Sequence, residues 1–148
     1  MGGSHMLVRR GPCLLVAVLV LGLTPGSAAD NDFVIVVHES NATPALARAR
    51  VDAMFLGKIA KWPDGSDVTV VSNRDEALCE EFSQAIHARS GAAVTAYWAA
   101  KTFKEFVPPP PKLDDTEVIE FVRDNPGAIG FVRRGVSLRG VNTLALLD

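Results

Sequence analysis

Five consecutive apolar residues, Phe33-Val34-Ile35-Val36-Val37, constrain this chain more than any other feature. Four are β-branched, so the run favours an extended strand, and with no polar residue to face water it must be covered on both faces. A strand of that kind sits centrally in a sheet with helices above and below. The fold class follows as α/β, a single-domain three-layer sandwich with a mainly parallel or mixed sheet.

The rest of the chain supplies the remaining layers. Ala45 to Leu56 carries Ala47, Val51, Met54 and Phe55 at helical spacing, which predicts a helix with one buried side. Val68 to Val71 reads as a second strand after the turn residues Trp62-Pro63-Asp64-Gly65. Asn73 with Glu76 fits a capping box that opens a helix bearing Leu78, Phe82, Ala85 and Ile86. Ser90 is placed to cap a further helix with Val94, Tyr97, Trp98 and Lys101 on one face. Pro108 to Pro111 is a stiff extended spacer, and Asp114-Asp115-Thr116 starts a helix that Asn125-Pro126-Gly127 stops. Ala128 to Val132 and Val141 to Leu147 read as closing strands. Crossovers of this length favour parallel neighbours.

The N-terminus has a separate logic. Residues 1–6 read as an expression-vector remnant, and residues 7–29 as a cleavable signal: Arg9 and Arg10, an apolar run from Cys13 to Leu23, then the small residues Ser27, Ala28 and Ala29. That run is too short and too interrupted by Gly22, Pro25 and Gly26 for a membrane span, so no membrane insertion is expected after cleavage. The mature domain, residues 30–148, is expected in the periplasm or outside the cell. Of the 15 basic residues two leave with the signal, which leaves 13 against 17 acidic ones, a net charge near −4. Such a balance disfavours nucleic acid as a partner. Cys79 is the one cysteine of the mature segment, so no internal disulfide can form, and its setting between Leu78 and Phe82 favours burial over an intermolecular bond.

Val51-Asp52-Ala53-Met54-Phe55-Leu56-Gly57-Lys58-Ile59-Ala60-Lys61-Trp62 resembles the "I-F-L-G-K-I-x-x-W" signature of the periplasmic phosphate-binding protein family. Asn125-Pro126-Gly127-Ala128-Ile129-Gly130-Phe131-Val132 resembles that family's "P-G-x-I-G-Y-V" element. The resemblance covers about Phe33 to Val132 and fits a short, single-lobe member better than the two-lobed transport protein. It implies one lobe of a type II periplasmic binding fold, with a phosphate-type anion held by hydroxyl and backbone N–H groups. The family's "S-D-G-S-G-T" anion segment falls on Arg74-Asp75-Glu76-Ala77-Leu78-Cys79, where Asp75 alone is kept. The cradle therefore reads as degraded.

From these residues the expectation is an exported, non-enzymatic binding or interaction module related to ABC-transport receptors. The alternatives are a small-anion carrier and a protein-docking or signalling domain of the cell envelope that uses the proline run. Candidate ligand-binding residues are Ser40, Asn41, Asn73, Arg74 and Asp75, on loops that follow two strands; their plainer reading is helix and turn capping, or for Arg74 a solvated charge. His38 would join them if its strand neighboured the Ser72–Glu76 loop. No cofactor, metal or catalytic residue is expected. Cys79 and His87 lie eight residues apart on one predicted helix, about 12 Å, too far to share a proton. His38 and Glu39 are adjacent and face opposite ways, a poor metal pair. Trp62, Tyr97 and Trp98 could line a groove but are expected in the core, and the Asn41-Ala42-Thr43 glycosylation sequon is too short to weigh.

Overall fold

A computed structural model describes residues 31–148. The vector remnant, the signal segment and Cys13 lie outside the described residues.

β1 (Phe33–His38) occupies the middle of a five-stranded sheet, in the order β2-β7-β1-β6-β3. Its neighbours are β6 (Ala128–Arg133) and β7 (Val141–Leu147), both antiparallel to it, with Phe33 opposite Arg133 and Ile35 opposite Leu144. The sheet is thus mixed, and the expectation of parallel neighbours for the central strand is corrected. Parallel pairing occurs at the edges, where β2 (Ala45–Ala47) joins β7 and β3 (Thr69–Val70) joins β6. β6 and β7 both run against β1 and hence parallel to each other, and residues 134–140 cross over β1 to link them, so the first strand is inserted between the last two.

Alternation along β1 divides the core in two. Phe33, Ile35 and Val37 point to the face covered by α1 (Arg48–Phe55) and α2 (Glu76–Phe82), where they meet Met54, Phe55, Leu78, Phe82 and Phe131. Val36 points to the other face, against Val118, Ile119 and Val122 of α4 (Asp115–Asp124). Helices therefore cover both faces and the architecture is a three-layer α/β sandwich, with Val36 and Val37 fully buried as a two-sided strand requires.

Several boundaries differ from the sequence expectation. The segment from Ala45 to Ala47 is a strand, not the first turn of a helix, and Ala47 is exposed. Its pairing with β7 supplies hydrogen bonds that an uncapped helix start would lack. Asp75, not Asn73, caps α2: its carboxylate accepts from the Leu78 amide at 3.1 Å. Asn73 closes a turn instead, with Oδ1 accepting from the Asp75 amide at 2.9 Å. Val70, in the second predicted strand, and Trp98, expected in the core, are only partly buried.

α2 runs directly into a π-helical turn, Ser83–His87, which ends at Ala88 in a left-handed conformation (φ 51°). The wider turn shifts the phase of the helix, and the adjacent residues Ile86 and His87 are both buried. α3 (Gly91–Glu105) follows, capped by Ser90 as its sequence predicts, with the hydroxyl accepting from the Ala93 amide at 3.1 Å. α3 has no fully buried residue. The proline run then leads into β5 (Lys112–Leu113), which pairs in parallel with β4 (Ser72–Asn73) as a separate two-stranded sheet.

Candidate functional site

The start of α2 is where the sequence placed an anion cradle. β4 delivers Ser72 and Asn73 to this point, and α2 departs from it after Arg74 and Asp75. Asn73 is 1% exposed, and its amide nitrogen donates to Asp115 Oδ1 at 2.8 Å and to the Phe131 carbonyl at 3.1 Å. With Oδ1 engaged by Asp75, both ends of the side chain serve the fold. Asp75 accepts from the Leu78 amide through Oδ1 and from the Arg133 guanidinium through Oδ2. Arg133 first, and the Leu78 amide after it, hold the Asp75 carboxyl below the ordinary aspartate range. Arg74 faces Glu117 of α4 at 3.6 Å.

The protein's own charges therefore fill this helix start. A carboxylate sits on the first free amides, and each nearby guanidinium faces an acid.

Ser40 and Asn41 lie elsewhere. β6 runs antiparallel to β1 and β3 runs parallel to β6, so β1 ends where β3 begins. The loop after β1 is consequently at one end of the sheet and the Ser72–Glu76 loop at the other. His38 and Ser40 bond one another at 2.7 Å, and Asn41 Oδ1 accepts from the Thr43 amide at 2.9 Å, so these side chains serve the turn itself, which Asn142 of β7 ties down by donating to the Glu39 carbonyl at 3.0 Å. The five candidate residues do not converge, and His38 does not join the second loop. β6 lies between β1 and β3, and the strand directions set the two loops at opposite ends of the sheet.

Beside the α2 start lies a cavity of about 760 Å³, walled by α2, the π turn, α3 and the proline run. Phe55, Phe82 and Phe131 form its floor, with Phe82 and Phe131 stacked at 4.0 Å between ring centroids. Trp98 and Phe103 of α3 border it, as do Ser72, Glu76, Cys79 and Lys112. Of the three aromatics expected in the core, Trp62 is buried there and donates to the Gly127 carbonyl at 3.0 Å, Tyr97 donates to the Leu56 carbonyl at 2.7 Å, and Trp98 faces the cavity.

Cys79 is half-buried and directs its thiol to the Asn73 carbonyl at 2.9 Å; burial pushes the thiol above the ordinary cysteine value. It makes no bond to His87, whose Nδ1 lies 2.6 Å from Asp52 Oδ1 of α1. Sequence reasoning weighed His87 only against Cys79, and nothing local to either residue signals a contact between Asp52 and His87. Arg133 was likewise missed, because its partner Asp75 is reached only through the fold.

No family model matches the sequence, and no curated protein matches it. Solved structures do. The chain is similar to an ABC-type phosphate transport receptor from Vibrio cholerae, with a TM-score of 0.53 at 19% identity over 79% of this chain and 47% of that one. It is similar to a possible phosphate binding protein from Planctomyces limnophilus, with a TM-score of 0.60 at 13% identity over 79% and 42%. PstS from Borrelia burgdorferi matches with a TM-score of 0.54 at 14% identity over 79% and 47%. At these identities the likeness is one of fold: the chain spans less than half the length of each protein, the extent of one lobe of a periplasmic binding protein.

Proposed function

We propose that this chain is an exported, non-enzymatic binding or interaction module built on one lobe of the phosphate-receptor fold, in which the inherited anion position no longer takes phosphate. One observation carries the reading. The Asp75 carboxylate, tied to the Leu78 amide and to Arg133, stands where an anion would need free amides and a free cation. The names of the structural neighbours support descent from small-anion receptors, and the loss of both glycines in Arg74–Cys79 supports a departure from that role. Export is supported by the order of basic, apolar and small residues before Asp30. Among the described residues, no helix is long and apolar enough to cross a membrane.

Isothermal titration tests the reading. Phosphate, sulfate and small carboxylates at about 1 mM should give no saturable heat, a level that detects binding of about −4 kcal/mol or better. Micromolar phosphate binding abolished by Arg74→Ala would establish the small-anion carrier instead, with Ser40, Asn41 and Asn73 as further ligands.

A second reading is docking to a protein of the cell envelope. It draws on Phe103 and Phe106, which are 85% and 90% exposed beside the proline run, with Val107 next to them.

A further inference from the structure

The cavity beneath α3 has two buried polar side chains in its wall, Ser83 and His87, and His87 carries the ring nitrogen that bears on a ligand. His87 is 8% exposed, lines the cavity and packs edge-on against Phe82 at 5.6 Å between ring centroids. The Asp52 carboxylate can only accept a hydrogen bond, so the 2.6 Å contact fixes the ring proton on Nδ1. Nε2 has no protein partner among the described residues. No buried side-chain nitrogen or oxygen there is left both sealed and unpaired, so Nε2 is reached from the cavity. In the neutral ring it presents a lone pair, which selects a hydrogen-bond donor.

The charges around the opening select in the same sense. Glu76 and Glu80 line the cavity against the single ammonium of Lys112. Asp52 adds a third carboxylate behind His87. The net negative charge here would repel an entering anion, attract an ammonium and leave a neutral hydroxyl unaffected. The volume of about 760 Å³ lies within the range of small-molecule sites, and the floor of Phe55, Phe82 and Phe131 with Trp98 beside it suits a ring or short alkyl body. α3 spans this space without one fully buried residue of its own, and Trp98 and Phe103 along it keep apolar surface free on the cavity side.

We infer that the groove between α2, the π turn and α3 is a binding site for a small amphipathic molecule with an apolar body and a donor head group, an amine or an alcohol, whose head is received by His87 Nε2. This goes beyond the binding-module reading, and it does not depend on whether phosphate binds at the start of α2.

Titration calorimetry with three probes of one body, phenylbutylamine, phenylbutanol and phenylbutyrate, tests it. The amine and the alcohol should bind saturably with one-to-one stoichiometry, the amine at least tenfold more tightly than the carboxylate. His87→Phe should weaken the amine about tenfold, the loss of one hydrogen bond. Because that change touches the core, Ala99→Trp provides the second arm. Ala99 is exposed on α3 and borders the cavity, so the indole should block the site and remove binding while the melting transition is kept. Absence of saturable heat with all three probes would overturn the assignment. So would carboxylate binding as tight as the amine, or amine binding unchanged in Ala99→Trp. Each of these results leaves the phosphate titration of the α2 start free to succeed or fail independently.

Discussion

The guanidinium of Arg133, the last residue of β6, donates to the carboxylate of Asp75, the residue that caps α2. The pair joins the end of a central strand to the start of a helix, and it gives one carboxylate two duties. Asp75→Asn should lower the melting midpoint at neutral pH. The folded state holds this carboxyl below its ordinary value, so its stabilisation is present above the unfolded value of about 3.9 and is lost as pH falls toward the lowered folded one. The gap in midpoint between wild type and Asp75→Asn should therefore close below about pH 4, read by thermal melts across an acid series. A gap that stays constant would mean that the ion pair adds nothing.

Phe55 is 5% exposed and packs against Phe82 and Phe131, at 4.7 Å and 6.0 Å between ring centroids. Its truncation to alanine should cost about 3 to 5 kcal/mol in denaturant unfolding. A loss below about 1 kcal/mol would contradict the burial.

Two glycines of the Asn125–Val132 element are held by close approach. At Gly130 a Cβ would stand 2.7 Å from Val71 Cγ1 and 2.9 Å from Val118 Cγ1, and at Gly127 it would collide with the Asp67 carbonyl oxygen. Gly130→Ala should destabilise by about 1 to 3 kcal/mol as the valines shift. Gly127→Ala should be worse, because the obstacle is backbone. Equal stability of the two variants in urea would refute this ranking.

Cys79 should react slowly. Burial raises its thiol, which leaves little thiolate at neutral pH, and its hydrogen is committed to Asn73. Alkylation by iodoacetamide should run well below the rate for a free cysteine peptide and rise to that rate in denaturant.

α3 should be the least protected helix. With no fully buried residue and a cavity at its side, it can open without disturbing the sheet. Native-state hydrogen exchange should show its amides exchanging ahead of those of β1 and β6, which are paired in the middle of the sheet.

The fold was legible wherever a residue's role is local. The Phe33–Val37 run announced a two-sided strand, Ser90 a helix cap, and Val118, Ile119 and Val122 a buried stripe, because spacing and side-chain chemistry alone decide such features. Strand direction was not legible, since it depends on which segments pair: β1 is inserted between β6 and β7, antiparallel to both, and residues 134–140 only carry the chain across it. The candidate site divides in the same way. The missing glycines after Arg74 are plain in the sequence, whereas the ties of Asp75 to Arg133 and of Asp52 to His87 join distant segments and leave no local trace. Asn73 misled because an asparagine before a helix suits a cap and a turn equally well, and Asp75, two residues on, is the better-placed cap.

The antiparallel pairing of β1 also bears on the order in which the chain can fold. Phe33 meets Arg133, and Ile35 meets Leu144, so the first strand to be translated waits for the last two before either of its edges is paired. Closing loops of that length precedes any gain from the sheet, which places the folding barrier late in synthesis. On the ribosome the sheet therefore cannot close until residues 141–147 have emerged, and β1 stays without either of its partners through most of synthesis.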